Sequence, residues 1–419
     1  MQKLIIKGRK ELNGKISISG SKNATLPILA ASILSKQSTI KNVPLVKDIF
    51  TMVELLNFIG LKTTIIKKKN TIRINNIGKN INTLAPYKLV KTMRAGVLVL
   101  GSLLTKYRKA KVSLPGGCAI GTRPVNLHLF ALKKLGAKIK IKDGYIIAEA
   151  KNGLIGAKIR FPSISVGATE NALLAAFNAK GRTILKNCAI EPEIKDLINF
   201  LKKLGANIKL QGRTINISDS KTQNSKIVHK VIFDRIELGT YMIASGLLAK
   251  KNVTIDKINP KIVKSELDIL KKIGVKIKQK KNSVTIKKAK TLKKINIITK
   301  PYPGFPTDLQ AQLMVLLTQA NGISKIKENI FENRFMHVPE LKRMGARIEI
   351  RDKTAIIKGP TKLTGAEVMA TDLRASVSLV LAGMIAENRT IINRIYHLDR
   401  GYEHLENKLK NCEAEIKRV

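Results

Sequence analysis

The sequence predicts an α/β protein built from six copies of one small unit, three copies to each of two domains. Three observations carry this. The pattern apolar-Lys-Lys-apolar-Gly-Ala-x-Ile recurs with variations, at Leu56-Asn57-Phe58-Ile59-Gly60-Leu61, Leu132-Lys133-Lys134-Leu135-Gly136-Ala137, Leu201-Lys202-Lys203-Leu204-Gly205-Ala206, Leu270-Lys271-Lys272-Ile273-Gly274-Val275 and Leu341-Lys342-Arg343-Met344-Gly345-Ala346, with a degraded copy at Leu409-Lys410-Asn411-Cys412-Glu413-Ala414. Its period of roughly 70 residues is too long for a solenoid turn and suits a small α/β unit. The 419 residues also exceed what one hydrophobic core serves, which makes two domains the expectation.

The third copy shows the composition of the unit. Ala168 to Ala179 carries small and apolar residues on every side, which predicts a helix buried all round. Thr183-Ile184-Leu185-Lys186-Asn187 reads as a strand. Ile194, Leu197, Ile198, Leu201 and Leu204 then recur at three- and four-residue spacing, marking a half-buried helix that ends with Gly205 in the capping position. Ile208, Leu210, Ile215 and Ile217 alternate with polar residues around Gln211-Gly212-Arg213, a hairpin signature. Buried-type helices are predicted likewise at Ala24 to Leu34, Arg94 to Leu104, Glu237 to Ala249, Leu309 to Ala320 and Leu373 to Ala386. The lysine runs Lys67-Lys68-Lys69-Asn70 and Lys278-Gln279-Lys280-Lys281-Asn282 fall where hairpin turns are expected.

Composition bounds the function. The formal net charge is +49, which on its own fits a nucleic-acid binder. Yet only 18 of the 78 basic residues are arginine, and lysine is spread through every element with abundant Ile and Asn, the mark of a compositional bias. Aromatic residues are 4% with no tryptophan, which leaves few platforms for base stacking. Three cysteines without a CxxC spacing exclude a disulfide framework and a zinc site, and no GxGxxG or P-loop motif is present. Apolar runs such as Ala95 to Leu104 are too short to cross a bilayer, and the first residues lack the apolar core of a signal peptide, so a cytoplasmic protein without membrane insertion is expected.

In a repeat protein the departures from the unit carry function. Ser113 to Pro124 holds Leu114-Pro115-Gly116-Gly117-Cys118 and Gly121-Thr122-Arg123-Pro124, a loop whose cysteine is either a reactive thiol near Arg123 or a small apolar residue folded under the loop. Ser19-Gly20-Ser21-Lys22-Asn23 precedes a buried helix, where a lysine can join the helix N-terminus in holding an anion, or can simply face solvent. Thr307-Asp308 and Thr371-Asp372 read as helix N-caps, a role sufficient for Asp372 but only one of two open for Asp308. Arg94, Arg123, Arg334, Arg374 and Arg400 all lie at element ends or loops. In a chain that uses lysine wherever it can, five retained arginines point to a site for a multiply anionic substrate. The five histidines show no metal-ligand spacing, and His337 and His397 read as structural.

Together with Lys91-Thr92-Met93-Arg94-Ala95, Phe305-Pro306-Thr307-Asp308, Glu332-Asn333-Arg334-Phe335-Met336-His337 and Asp399-Arg400-Gly401-Tyr402, these motifs closely resemble, in order and over the whole length, the enolpyruvyl transferases that act on UDP-N-acetylglucosamine at the start of peptidoglycan synthesis. The resemblance implies a two-domain inside-out α/β barrel of six βαβαββ repeats, with residues 22–232 as one domain, 1–21 and 233–419 as the other, and the active site in the cleft between them. It implies phosphoenolpyruvate and UDP-N-acetylglucosamine as substrates and no metal or organic cofactor; it leaves the oligomeric state open. By motif, Cys118 corresponds to the loop acid that can form a covalent adduct, and Asp308 to the group that holds and deprotonates the sugar hydroxyl. Lys22 and Asn23, with Arg123, Arg334, Arg374 and Arg400, correspond to the phosphoenolpyruvate site, Lys22 and Arg400 also to the catalytic set. Arg94, Arg123, Pro124, Val125, Asn126, Leu127, Ser163, Ile164, Ser165, Val166, Asp308 and Ile330 correspond to the nucleotide-sugar site. The family commonly has aspartate at Asn126 and lysine at Ser163, so a positive charge near the nucleotide is missing here.

The resemblance leaves two competitors. The related 5-enolpyruvylshikimate-3-phosphate synthases share the fold and half-reaction but lack a loop cysteine acid. A nucleic-acid-binding repeat protein predicts steep salt dependence and indifference to Cys118 and Asp308.

Overall fold

The computed structural model describes residues 2–78, 80–116, 125–218 and 226–419. It divides into two compact units. One joins the residues up to Ser19 with Phe233–Val419, and the other runs from Gly20 to Ile232. Each has its own core of aliphatic side chains.

Each unit holds three four-stranded sheets of one topology, a parallel pair extended by two antiparallel strands. In the third copy Lys158–Arg160 lies parallel to Thr183–Lys186, followed by Thr214–Ser218 and Asn207–Gln211. The two central strands alternate buried and partly exposed positions, as a sheet with one covered face requires.

The helices follow the sequence expectation closely. In the unit from Gly20 to Ile232 the buried helices are Lys22–Ala31, Val166–Ala176 and Val99–Tyr107, the last led in by a 3-10 turn at Arg94–Leu98. Their counterparts in the other unit are Arg235–Leu248, Gln310–Leu317, led in by Thr307–Leu309, and Leu373–Ile385. In the unit up to Ser19 and from Phe233 all three pack on one another, and in the other Val99–Tyr107 packs on both Lys22–Ala31 and Val166–Ala176. Close approach has a sequence cause at Gly101: its N–H donates to Asn171 Oδ1 at 2.8 Å, and a Cβ there would lie 2.4 Å from that oxygen.

The half-buried helices end alike because the recurring glycine takes a left-handed conformation, with φ of 111° at Gly60, 92° at Gly136, 105° at Gly205, 110° at Gly274 and 94° at Gly345. The next N–H then reaches back to the carbonyl five residues earlier, as from Ala206 to Leu201 and from Ala346 to Leu341. This is the Schellman arrangement. The degraded sixth copy keeps it with Glu413 at φ 70°, a conformation costly for a side-chain-bearing residue.

Two sheets are completed from far along the chain. Leu12–Ser17 lies parallel to Ala249–Asp256, and Leu4–Lys7 stands between Arg389–Asn393 and Ile416–Arg418. In the last sheet Leu4–Lys7 takes the place that a hairpin strand fills in the other copies. No helix among the described residues is long and apolar enough to cross a membrane.

Candidate functional site

In both units several candidate residues lie at the starts of the buried helices: Lys22, Asn23, Arg94, Ser165 and Val166 in one, Asp308 and Arg374 in the other. An apolar helix core cannot carry charge, whereas its first turn presents N–H groups that need acceptors and a positive dipole end that favours anions.

In the unit up to Ser19 and from Phe233, three such starts meet. Asp308 lies in the turn Thr307–Leu309, but its carboxylate does not cap the helix. Instead Oδ1 accepts from Arg334 at 2.6 Å and Oδ2 from Arg374 at 2.9 Å. The Asp308 side chain is 27% exposed, against 4% for Arg334 and 10% for Arg374, so the carboxylate is presented to solvent with two guanidinium groups behind it. Burial works against the Arg374 charge, but Asp308 overrides it and holds the guanidinium above its ordinary range. Arg374 is placed by Asp372, which caps Leu373–Ile385 through the Arg374 and Ala375 N–H groups, the role its sequence position predicts. Arg374 Nη1 also donates to the Tyr402 hydroxyl at 3.4 Å; that hydroxyl lies 2.8 Å from Thr240 Oγ1, and Gln312 Nε2 reaches both oxygens and the Asp308 carbonyl. A polar network thus links the three helices beneath the carboxylate.

Arg400 ends the turn Ile395–Arg400, which packs against Leu373–Ile385, and Gly401 lies so close to Leu373 that a Cβ would meet it at 2.6 Å. The preceding Asp399 is held by Arg418 through two parallel bonds of 3.0 and 2.7 Å. Ile330 is exposed in the segment leading to Arg334. His337 is buried beside Arg334; burial pushes it down to about 4, with the Arg334 charge opposing protonation and Asp372 favouring it.

In the unit from Gly20 to Ile232, Ser21 caps Lys22–Ala31 by accepting the Ala24 N–H. Lys22 Nζ reaches Asp48 Oδ2 at 3.1 Å, with both side chains nearly buried, so the solvent-facing alternative for Lys22 does not hold. Asn23 follows in the same first turn. Arg94 opens the turn Arg94–Leu98, which packs against both Lys22–Ala31 and Val166–Ala176. Ser165 caps the latter helix through the Ala168 N–H. The preceding stretch through Ser163 and Ile164 is pinned at Phe161, whose N–H donates to Lys186 and whose carbonyl accepts from Asn187 Nδ2. Asn126 and Leu127 start the helix Asn126–Lys134, with Val125 buried just before them.

His128, on that helix, joins these pieces. Its Nδ1 lies 3.1 Å from Asn171 Nδ2, which also donates to the Val97 carbonyl, and a Cβ on Gly167 would touch its ring. Burial pushes His128 down to about 3, and the Arg94 charge adds to this. An unfolded histidine titrates near 6.5, so the stability contributed by His128 and His337 is present above that pH and lost as pH falls through their folded values. Long-range nitrogen–proton NMR is expected to show both rings neutral at pH 5; a midpoint near 6.5 for either would contradict its burial. Glu170, on Val166–Ala176, is shifted the other way: burial, then Glu193 and Glu191, hold its carboxyl well above the usual range.

Cys118, Arg123 and Pro124 lie outside the described residues. Among the described residues no group of three or more His, Cys, Asp or Glu side chains could hold a metal ion. No sequence motif marks Asp48, His128, Asn171, Glu328 or Thr240, and Tyr402 stands in the Asp399–Tyr402 motif without a role of its own. Asp48 carried a usable signal: in a chain with 29 acidic against 78 basic residues, a carboxylate in the first turn of a half-buried helix, Lys47–Ile59, is conspicuous.

This fold is shared with enolpyruvyl transferases of known structure. The enolpyruvyl transferase NikO from Streptomyces tendae superposes with a TM-score of 0.89 at 24% identity, covering 100% of this chain and 99% of that one. An EPSP synthase from Acinetobacter baumannii superposes at 0.76 and 16% identity, with both chains fully covered. The family model for EPSP synthase (3-phosphoshikimate 1-carboxyvinyltransferase) matches residues 6–409, and the chain belongs to this enolpyruvyl transferase family. Within it, the chain is 58% identical over 421 residues to a UDP-N-acetylglucosamine 1-carboxyvinyltransferase of Pelagibacter ubique, with both chains fully covered. It is 52% identical over 420 residues to that of Rickettsia akari, again with full coverage, and 51% over 419 residues to that of Endomicrobium trichonymphae, covering 99% of it.

Proposed function

We propose that the chain is a transferase that moves the enolpyruvyl group of phosphoenolpyruvate to the 3'-hydroxyl of UDP-N-acetylglucosamine and releases phosphate, the first committed step of peptidoglycan synthesis. The observation that carries this is the identity of 51–58% over essentially full length to relatives bearing that activity as their name. Both substrates are cytoplasmic metabolites, and the cytoplasm is where we place the protein.

Phosphoenolpyruvate must accept a proton at its methylene carbon while the sugar oxygen bonds to C2. The hydroxyl proton then passes to a base, and the tetrahedral ketal expels phosphate as the methyl group returns a proton to restore the double bond. In our reading Asp308 takes the hydroxyl proton, and its partly exposed carboxylate suits that task. Cys118 supplies the proton to the methylene carbon and is the site of a covalent adduct. Lys22, Asn23, Arg123, Arg334, Arg374 and Arg400 hold the phosphate and carboxylate as charge shifts between them. Arg94, the run Arg123 to Leu127, Ser163 to Val166 and Ile330 hold the nucleotide sugar. Residues 22–232 and 1–21 with 233–419 serve as the two functional domains, and each supplies groups the other lacks. With asparagine at 126 and serine at 163, neutral hydrogen bonding replaces charge at the nucleotide.

The test is phosphate release from phosphoenolpyruvate by the purified protein, with product mass read in parallel. Release is expected only with UDP-N-acetylglucosamine, together with an enolpyruvyl mass added to that sugar. Release with shikimate 3-phosphate instead would move the chain to the sister activity of its family.

A further inference from the structure

We propose that Glu328 is a positioning residue that sets Asp308 and the Ile330–Arg334 segment against each other; this rests on the functional reading above. Glu328 follows the strand Gly322–Lys327 and is 1% exposed. Its backbone is fixed, because its N–H donates to the Lys353 carbonyl at 2.8 Å in the turn of the neighbouring hairpin. From that mount the carboxylate reaches in two directions. Oε2 accepts the Thr307 hydroxyl at 2.9 Å, one residue before Asp308, and Oε1 accepts the Ile330 and Phe331 N–H groups at 2.7 and 3.2 Å.

The partners argue against a charge-balancing role. In a chain of 78 basic residues, no lysine or arginine among the described residues pairs with this carboxylate. Burying an ion is costly, and here three neutral donors offset the cost. Those donors belong to the two pieces of backbone that carry Asp308 on one side and Ile330 and Arg334 on the other. Asn329 reinforces the second piece by donating its N–H to Thr299 Oγ1 at 3.0 Å. The Arg334–Asp308 bond then closes a ring: Glu328, Thr307, Asp308, Arg334 and back along the chain. A shift of about 1 Å in a reacting group costs on the order of a hundredfold in rate, so a carboxylate that fixes this ring acts on catalysis without touching substrate.

The two arms make separable predictions. Thr307→Val cuts only the arm to Asp308, and kcat is expected to fall about tenfold while the KM for UDP-N-acetylglucosamine stays within about twofold. Thr307→Ser, which keeps the hydroxyl, is expected to restore kcat. Glu328→Leu cuts both arms, and kcat is expected to fall about a hundredfold with that KM raised about tenfold. A structural role alone would lower the melting temperature and the folded fraction of the variants and leave both kcat per folded molecule and KM untouched. The experiment is steady-state kinetics on the wild type and the three variants, with thermal unfolding in parallel; should Glu328→Leu not fold, the Thr307 pair decides. An active wild type with Thr307→Val equal to it, or with Thr307→Ser no better than Thr307→Val, overturns the role of Glu328 alone. A folded wild type that does not turn over overturns the functional reading and this role with it.

Discussion

Asp308→Asn is expected to lower kcat by about three orders of magnitude while the protein stays folded, because a positioned general base contributes up to about 10⁴-fold. The geometry makes this a clean substitution. Asparagine keeps the size of the side chain and one oxygen, so Arg334 or Arg374 retains an acceptor, while the amide cannot take a proton from a sugar hydroxyl. The Asp308 backbone is held independently, since its carbonyl accepts from Gln312 Nε2. The measurement is single-turnover rate with both substrates saturating, together with a thermal melt. A rate within tenfold of wild type would remove Asp308 from the role of base.

Arg374→Met is expected to lower kcat/KM for phosphoenolpyruvate by about 10²- to 10³-fold, the cost of losing one donor to charge that develops during reaction. Methionine fills most of the volume, so the loss is electrostatic rather than a cavity. Two neighbours are left short: Asp308 loses a cation, and the buried Tyr402 hydroxyl loses a donor while keeping its contacts to Thr240 and Gln312. Arg374→Lys is expected to recover little, because one ammonium cannot reach both the carboxylate and the phenol as the planar guanidinium does. Equal losses for phosphoenolpyruvate and the nucleotide sugar would show the defect to be general rather than a matter of the phosphate clamp.

The repeat was legible because its punctuation is chemical. A left-handed residue after each half-buried helix demands glycine, and five of six copies have it; where Glu413 stands instead, the pattern fades though the backbone does not. The buried helices were legible from apolar residues on every side. Sheet membership of Leu4–Lys7 and Leu12–Ser17 was not, since periodicity says nothing about a partner hundreds of residues away. For Asp308, local sequence offered a cap and a functional group with equal force. The fold adds what local sequence cannot show, the approach of two arginines from distant segments to its carboxylate. Asp48 and Glu328 belong to no motif. Their meaning lies in what folds against them, Lys22 in one case and Thr307 with the Ile330 and Phe331 amides in the other.

The placement of Leu4–Lys7 between Arg389–Asn393 and Ile416–Arg418 bears on how the molecule is made. On a ribosome these residues emerge hundreds of residues before either neighbour. Leu12–Ser17 waits in the same way for Ala249–Asp256. The stretch from Gly20 to Ile232 contains all the strands of its own three sheets and can close during synthesis. That segment therefore trails from a body that folds behind it, its unpaired edge groups open to wrong partners until its own neighbours have been made. The lysines and arginine in and around it, Lys3, Lys7, Arg9 and Lys10, put charge on that waiting strand, which disfavours pairing with another copy of itself.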